Sequence, residues 1–138
     1  MSELVRLSLS LEKPLHDRLE RMVHQKGYTN RSEFVRDMIR QRLVEEEWEK
    51  DREVVGSLTL VYDHHARGLS DKLTDLQHHH HRAILATVHV HLKEDLCAEV
   101  VLVRAKATQV RQIADTLRRQ KGVLHADLSM STTGTALR

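Results

Sequence analysis

A single strand with no partner of its own is the feature that most limits how this chain folds. From Leu4 to Leu11, the apolar residues Val5, Leu7, Leu9 and Leu11 alternate with Arg6, Ser8 and Ser10. Side chains of a strand point to alternate faces, so this segment has one apolar and one hydrogen-bonding side. The next thirty or so residues read as helical. Pro14 suits a first helical turn, Leu15, Leu19, Met22 and Val23 form a buried stripe, and Gly27 is a natural C-terminal cap. Asn30-Arg31-Ser32-Glu33 opens a second helix, with Asn30 as cap, Glu33 placed to reach back, and Val35, Met38, Ile39 and Leu43 as its stripe. A lone strand has no ladder and about 45 residues make a small core, so this module requires a second copy, paired through the strand.

Over residues 3–44 this order of elements resembles the ribbon-helix-helix DNA-binding proteins. The resemblance implies an intertwined β-α-α dimer whose two strands pair antiparallel and enter the major groove, with Arg6, Ser8 and Ser10 reading bases. The chemistry suits that role, since Arg can grip guanine bidentately and small hydroxyls can donate or accept at base edges. Asn30, Arg31 and Ser32 stand at a helix N-terminus, whose free N–H groups and positive dipole end favour a phosphate. The plainer reading is that the three strand residues face water. The element order, the spacing and the helix cap together favour DNA binding.

The net charge of +2 is a sum of unlike segments. Residues 1–44 hold nine Lys/Arg against six Asp/Glu, residues 45–56 two against six, and residues 57–138 eleven against eight. The acidic stretch Glu45 to Glu53, closed by Gly56, reads as a solvated helix end and linker. Nine of the eleven histidines lie beyond it. The single cysteine, Cys97, excludes an internal disulfide framework. No apolar run approaches the roughly 18 residues needed to span a bilayer, and the N-terminus lacks the apolar stretch of a secretory signal, so the expected location is the cytoplasm and no membrane partner is expected.

Beyond the acidic stretch the pattern reads as a strand at Ser57–Tyr62, a helix from Arg67 to about His79, strands at Ile84–Leu92 and Ala98–Val103, a helix at Val110–Arg119 and a strand at Val123–Met130. This βαββαβ order is the ferredoxin-like split motif, and the fold class expected for the whole chain is α+β. The expected domains are residues 1–47, an acidic linker at 48–56, the ferredoxin-like domain at 57–131 and a flexible tail at 132–138.

In the strand Leu85–Leu92 the apolar residues Ala86, Val88, Val90 and Leu92 share one face, and Thr87, His89 and His91 share the other. The two histidines are therefore neighbours, roughly 6.5–7 Å apart at two strand rises, and are expected to project away from the helix-packed side. A tight hairpin places Cys97 beside His91 and Glu99 beside His89. Two imidazoles and a thiolate then converge as metal ligands, with Glu99 placed to hold a ligand ring by its second nitrogen. His-x-His alone is weak evidence; His-x-His with the sole cysteine at the hairpin partner is much stronger. The run His78–His81 reads either as a nonspecific metal-binding tract or dipole-favoured helix end, or as a source of a ligand for a neighbouring subunit, because a helix on the opposite face of the sheet cannot easily reach the histidines of its own hairpin.

Gln77 to His81, then His89-Val90-His91 and Cys97, behind a ribbon-helix-helix module, closely resemble the nickel-responsive transcriptional regulator family over nearly the whole chain. The resemblance implies an ACT-like ferredoxin domain that assembles a homotetramer, a dimer of dimers. It also implies one Ni(II) per subunit, held by His89, His91 and Cys97 of one chain and His78 of another. It further implies that Glu33 and Asp37 help form a second cation site near DNA. The function expected is a repressor that binds a palindromic operator when nickel is present and shuts off nickel-uptake genes. No organic cofactor is expected, and no nucleophile motif or Gly-rich phosphate loop suggests an enzyme. The alternatives are a metal-storage or metallochaperone protein without DNA binding, or a sensor of copper, zinc or cobalt.

Overall fold

The computed structural model describes residues 3–138. The elements run α1 (Lys13–Gln25), α2 (Arg31–Glu49), β1 (Glu53–Asp63), α3 (Leu69–His79), β2 (Ile84–Lys93), β3 (Leu96–Lys106), α4 (Ala107–Arg118) and β4 (Val123–Met130). They divide between two compact units, with the second spanning Val44–Thr135.

In the first unit, Pro14 lies in the opening turn of α1, and Gly27 takes φ +75° just past its end. There the amide of Tyr28 reaches Val23 O at 3.1 Å and that of Gly27 reaches His24 O at 3.1 Å, the two bonds of a Schellman cap. Asn30 caps α2 by accepting from the amide of Glu33 at 2.9 Å. The Glu33 carboxylate accepts the Thr29 hydroxyl at 3.3 Å rather than closing a full capping box. Residues 3–12 form neither helix nor ladder. The expected strand is absent from the single chain because nothing in the unit can hydrogen-bond to it. Leu4, Val5, Leu7 and Leu9 are 63% to 87% exposed, and Leu15, Met22, Met38 and Ile39 are also exposed. Val23 and Phe34 are its buried apolar residues, so the unit carries half of a core.

The second unit is a four-stranded antiparallel sheet of order β2-β3-β1-β4, which with α3 and α4 makes the ferredoxin-like βαββαβ fold of an α+β chain. Leu58, Leu60 and Tyr62 of β1, Cys97, Val101 and Val103 of β3, Leu69 and Leu73 of α3, and Val110, Ile113 and Leu117 of α4 form the core. Helices cover one face. On the other, Val88, Val90, Leu92 and Val100 are exposed.

Between the modules three expectations are corrected. α2 continues through the acidic stretch to Glu49, and Trp48 is 3% exposed within the core. Only residues 50–52 therefore separate α2 from β1, not 48–56. Gly56 is not the end of a linker: it lies inside β1, where a Cβ would stand 2.7 Å from Val110 Cγ1 and 3.1 Å from Leu128 Cδ1. The C-terminal segment is anchored at its start, since Ser131 N donates to Val55 O at 2.8 Å, Trp48 Nε1 to Ser131 O at 2.8 Å, and Thr132 Oγ1 to Glu47 Oε1 at 2.8 Å.

Candidate metal centre

The β2–β3 hairpin sets His89 opposite Glu99 and His91 opposite Cys97. Residues directly opposite in an antiparallel pair share a face, and Cys97, Glu99, Val101 and Val103 are the buried, helix-facing residues of β3. His89 and His91 therefore point to the helix side, not away from it. The expectation inverts the sheet because β2 is an edge strand whose apolar residues line the outer face. The two rings stay exposed on this edge strand of the sheet.

Among the described residues, one cluster is able to hold a metal ion: His64, His89, His91 and Cys97, whose donor atoms lie within 4.8 Å of one another. Cys97 Sγ forms the buried floor, 3.3 Å from His91 Nδ1. His64 stacks edge-on against His91 with ring centroids 5.0 Å apart. Sequence pattern does not single it out, because its position depends on the β1–β3 register that pairs Tyr62 with Cys97 and Asp63 with Leu96. The backbone amide of His64 then bonds Asp95 O at the hairpin turn. Its neighbour His65 is drawn off by Asp95, 3.0 Å from Nε2.

His78 lies exposed on the last turn of α3 and is not part of this cluster. Since α3 shares the face of His89 and His91, the sheet does not stand between them and His78, and opposite faces give no reason to seek that ligand in another subunit. Glu99 also differs from expectation. Its carboxylate accepts from Gln77 Nε2 at 3.1 Å, while the imidazole partner is Tyr62, whose hydroxyl stands 3.2 Å from His89 Nδ1. Burial pushes the Tyr62 phenol up to about 12, with the Glu99 and Cys97 charges adding to it, so the hydroxyl keeps its proton and is available to donate. Burial likewise raises Glu99, against the bond from Gln77.

In the first unit, Arg6, Ser8 and Ser10 are exposed. Arg31 pairs with Glu20, the Asn30 side chain is spent on its cap, and Ser32 is exposed at the start of α2. Asp37 accepts the Tyr28 hydroxyl at 2.6 Å and Arg40 at 3.2 Å, and the Tyr28 bond holds its carboxyl below the usual range. Glu33 is 4.0 Å from Arg36, so protein donors already serve both carboxylates of the expected second cation site.

A module of two helices with a partnerless N-terminal arm, joined to a ferredoxin-like domain gathering three imidazoles and a thiol, defines a class: a DNA-binding regulator fitted with a transition-metal site. Residues 5–46 match the ribbon-helix-helix protein, copG family, and residues 55–131 match the NikR C terminal nickel binding domain. A protein of Geobacter metallireducens named "Putative nickel-responsive regulator" is 52% identical over 99% of both chains, and one of the same name from Solibacter usitatus is 48% identical over the full length of both. The chain belongs to the nickel-responsive regulator family, which is one of transcription regulators and not of enzymes. Over 56% of its length the chain also shares the fold of an uncharacterized Thermotoga maritima protein, 15% identical with a TM-score of 0.51, of which 96% is covered.

Proposed function

We propose that this chain represses nickel-uptake genes from the cytoplasm, binding a palindromic operator when each subunit holds one Ni(II). The observation that carries the reading is the convergence of His89, His91 and Cys97 with a further imidazole within 4.8 Å. Imidazole and thiolate donors fit nickel, copper or zinc, and membership of the family favours nickel. All of these donors must give up a proton at the binding atom, so acid competes with the ion.

The fourth donor has two candidates. The family resemblance assigns His78 from a neighbouring subunit. The geometry of the single chain offers His64 instead. A site completed across an interface favours one assembly geometry over another, and a ligand shifts an equilibrium only through such differential binding. The exposed Val88, Val90, Leu92 and Val100 support a homotetramer, since a patch of this kind marks an interaction surface. The exposed leucines of residues 4–11 support a dimer in which two arms pair as a ribbon. Arg6, Ser8 and Ser10 then face DNA, with the α2 N-terminus at Asn30, Arg31 and Ser32 against phosphate.

The test loads the purified chain with Ni, Cu, Zn and Co in turn and measures the shift of a palindromic duplex at several salt concentrations. Nickel is expected to give the specific, salt-dependent complex. Arg6→Ala is expected to weaken it without changing nickel stoichiometry. Tight nickel binding with no effect on any duplex sinks the regulator reading and leaves metal storage.

A further inference from the structure

Gln77 has no place in the metal cluster, yet both ends of its side-chain amide are engaged. It sits on the last turn of α3, one residue before His78. Its Nε2 donates to Glu99 Oε2 at 3.1 Å, and its Oε1 accepts from Thr87 Oγ1 at 2.8 Å. Glu99 is the residue opposite His89 across the hairpin, and Thr87 precedes His89 by two positions on the same face of β2. One amide thus spans the two strands at His89, while Tyr62 holds the ring from another side. Glu99 is 8% exposed, and a buried carboxylate without a donor is costly, which makes this contact hard to give up. The last turn of a helix is where a helix frays, so a side chain pinned there governs where the next residue is presented.

Resting on the proposed metal site, we infer that Gln77 is a positioning residue: its amide fastens the final turn of α3, and with it the His78 donor, to the hairpin that carries His89, His91 and Cys97. Gln77 is not itself a metal donor, and an apolar residue would fill the volume. What the amide adds is direction. Its donor end must meet the carboxylate and its acceptor end the hydroxyl, which fixes the side chain, and so the helix end, in one orientation. His78 is then offered to a neighbouring subunit from a fixed point instead of from a fraying turn.

The experiment uses the full-length chain and Ni(II) itself, with affinity from competition titration, the thiolate-to-nickel absorption band, and the metal-free melting temperature as separate readouts. Gln77→Leu is expected to keep the thiolate band and one nickel per chain while weakening nickel binding about 10- to 100-fold, the usual loss when an outer partner of a metal site is removed. Thr87→Val should weaken it in the same direction. Gln77→Leu combined with His78→Ala should bind no more weakly than His78→Ala alone, because both act through one donor. Additive losses overturn the inference. So does a Gln77→Leu chain that melts earlier but binds nickel with full affinity, for then the glutamine serves only to satisfy Glu99. If His78→Ala binds nickel as tightly as the parent, the cross-subunit ligand is wrong and the inference falls with it; if His78→Ala weakens binding and Gln77→Leu does not, the inference alone falls. Should Gln77→Leu not fold, Thr87→Val decides by the same criteria.

Discussion

His91 Nδ1 stands 3.3 Å from Cys97 Sγ, and the two residues face one another directly in the β2–β3 register. The thiol is fully buried beneath a ring exposed to solvent, so an ion entering from the rim meets imidazole first and sulfur last. Cys97→Ala is expected to abolish the thiolate-to-nickel absorption band and the nickel-dependent operator shift. The deleted sulfur leaves a cavity far smaller than that of a buried Leu→Ala change, so the structural cost should be of order 1 kcal/mol, below the roughly 2–5 kcal/mol of that larger deletion. Spectra of the nickel-loaded chain and urea midpoints of the metal-free chain separate the two effects. A Cys97→Ala chain that still shifts operator DNA in response to nickel contradicts the site.

His64 and His78 compete for the same role, and single substitutions separate them. If the fourth donor comes from another subunit, His78→Ala should weaken nickel binding sharply, and His64→Ala should change little. If the own-chain cluster is complete, the order reverses, and a chain diluted to its smallest stable assembly should keep its metal. Titration of both variants at two protein concentrations reads the difference, because only a site shared between subunits depends on protein concentration.

Sequence pattern is most informative where structure is local. The Asn30 cap, the αL glycine at Gly27 and the bounds of α3, β2 and β4 depend on side chains within a few residues of one another, and there pattern and structure agree. The hairpin that brings His91 to Cys97 is legible for the same reason, since its turn is short. What pattern does not reveal depends on partners distant in sequence. His64 reaches the cluster only through the β1–β3 register. The face of His89 and His91 is misread because apolar alternation locates a core only where one core exists, and β2 has apolar neighbours to gain on its outer side as well. Trp48 is hidden in an acidic run, although its own indole is buried in the core. The arm at residues 3–12 has a strand's pattern and no strand's bonds in one chain, which is the expected behaviour of a segment that pairs only with a second copy.

Gly56 tests whether the start of β1 is core or linker. An added Cβ would stand 2.7 Å from Val110 Cγ1, 3.1 Å from Leu128 Cδ1 and 3.4 Å from the Trp48 ring. Gly56→Ala should therefore destabilise the second unit by about 1–3 kcal/mol, the usual cost of overpacking, and should perturb Trp48 fluorescence. In a Val110→Ala background the clash is relieved, so the same substitution should cost less. Chemical denaturation of the four chains of this cycle gives the coupling, and equal costs in both backgrounds would return Gly56 to the role of a loose connector.

Asp51 supplies the pH-dependent test. It holds φ +53°, a left-handed conformation that Asp and Asn tolerate better than Ala, and its Oδ1 accepts the amide of Thr108 at 2.7 Å in the first turn of α4. That amide bond, joined by one from the Thr108 side chain, lowers the carboxyl below its ordinary value of 3.8. A depressed carboxylate contributes stability that is present above its unfolded value and lost as pH falls through the folded one. Melting temperatures near neutral pH should rank the parent above Asp51→Asn, which keeps the backbone preference and an acceptor oxygen, and Asp51→Asn above Asp51→Ala, which keeps neither. The gap between the parent and Asp51→Asn should close as pH drops below 3.8, because protonation removes the charge that separates them. The gap between Asp51→Asn and Asp51→Ala should persist, since backbone conformation does not titrate. Thermal unfolding from about pH 7 down through the ordinary carboxylate range and below it measures both gaps, and a parent advantage over Asp51→Asn that survives unchanged at the acid end excludes the carboxylate charge as its source.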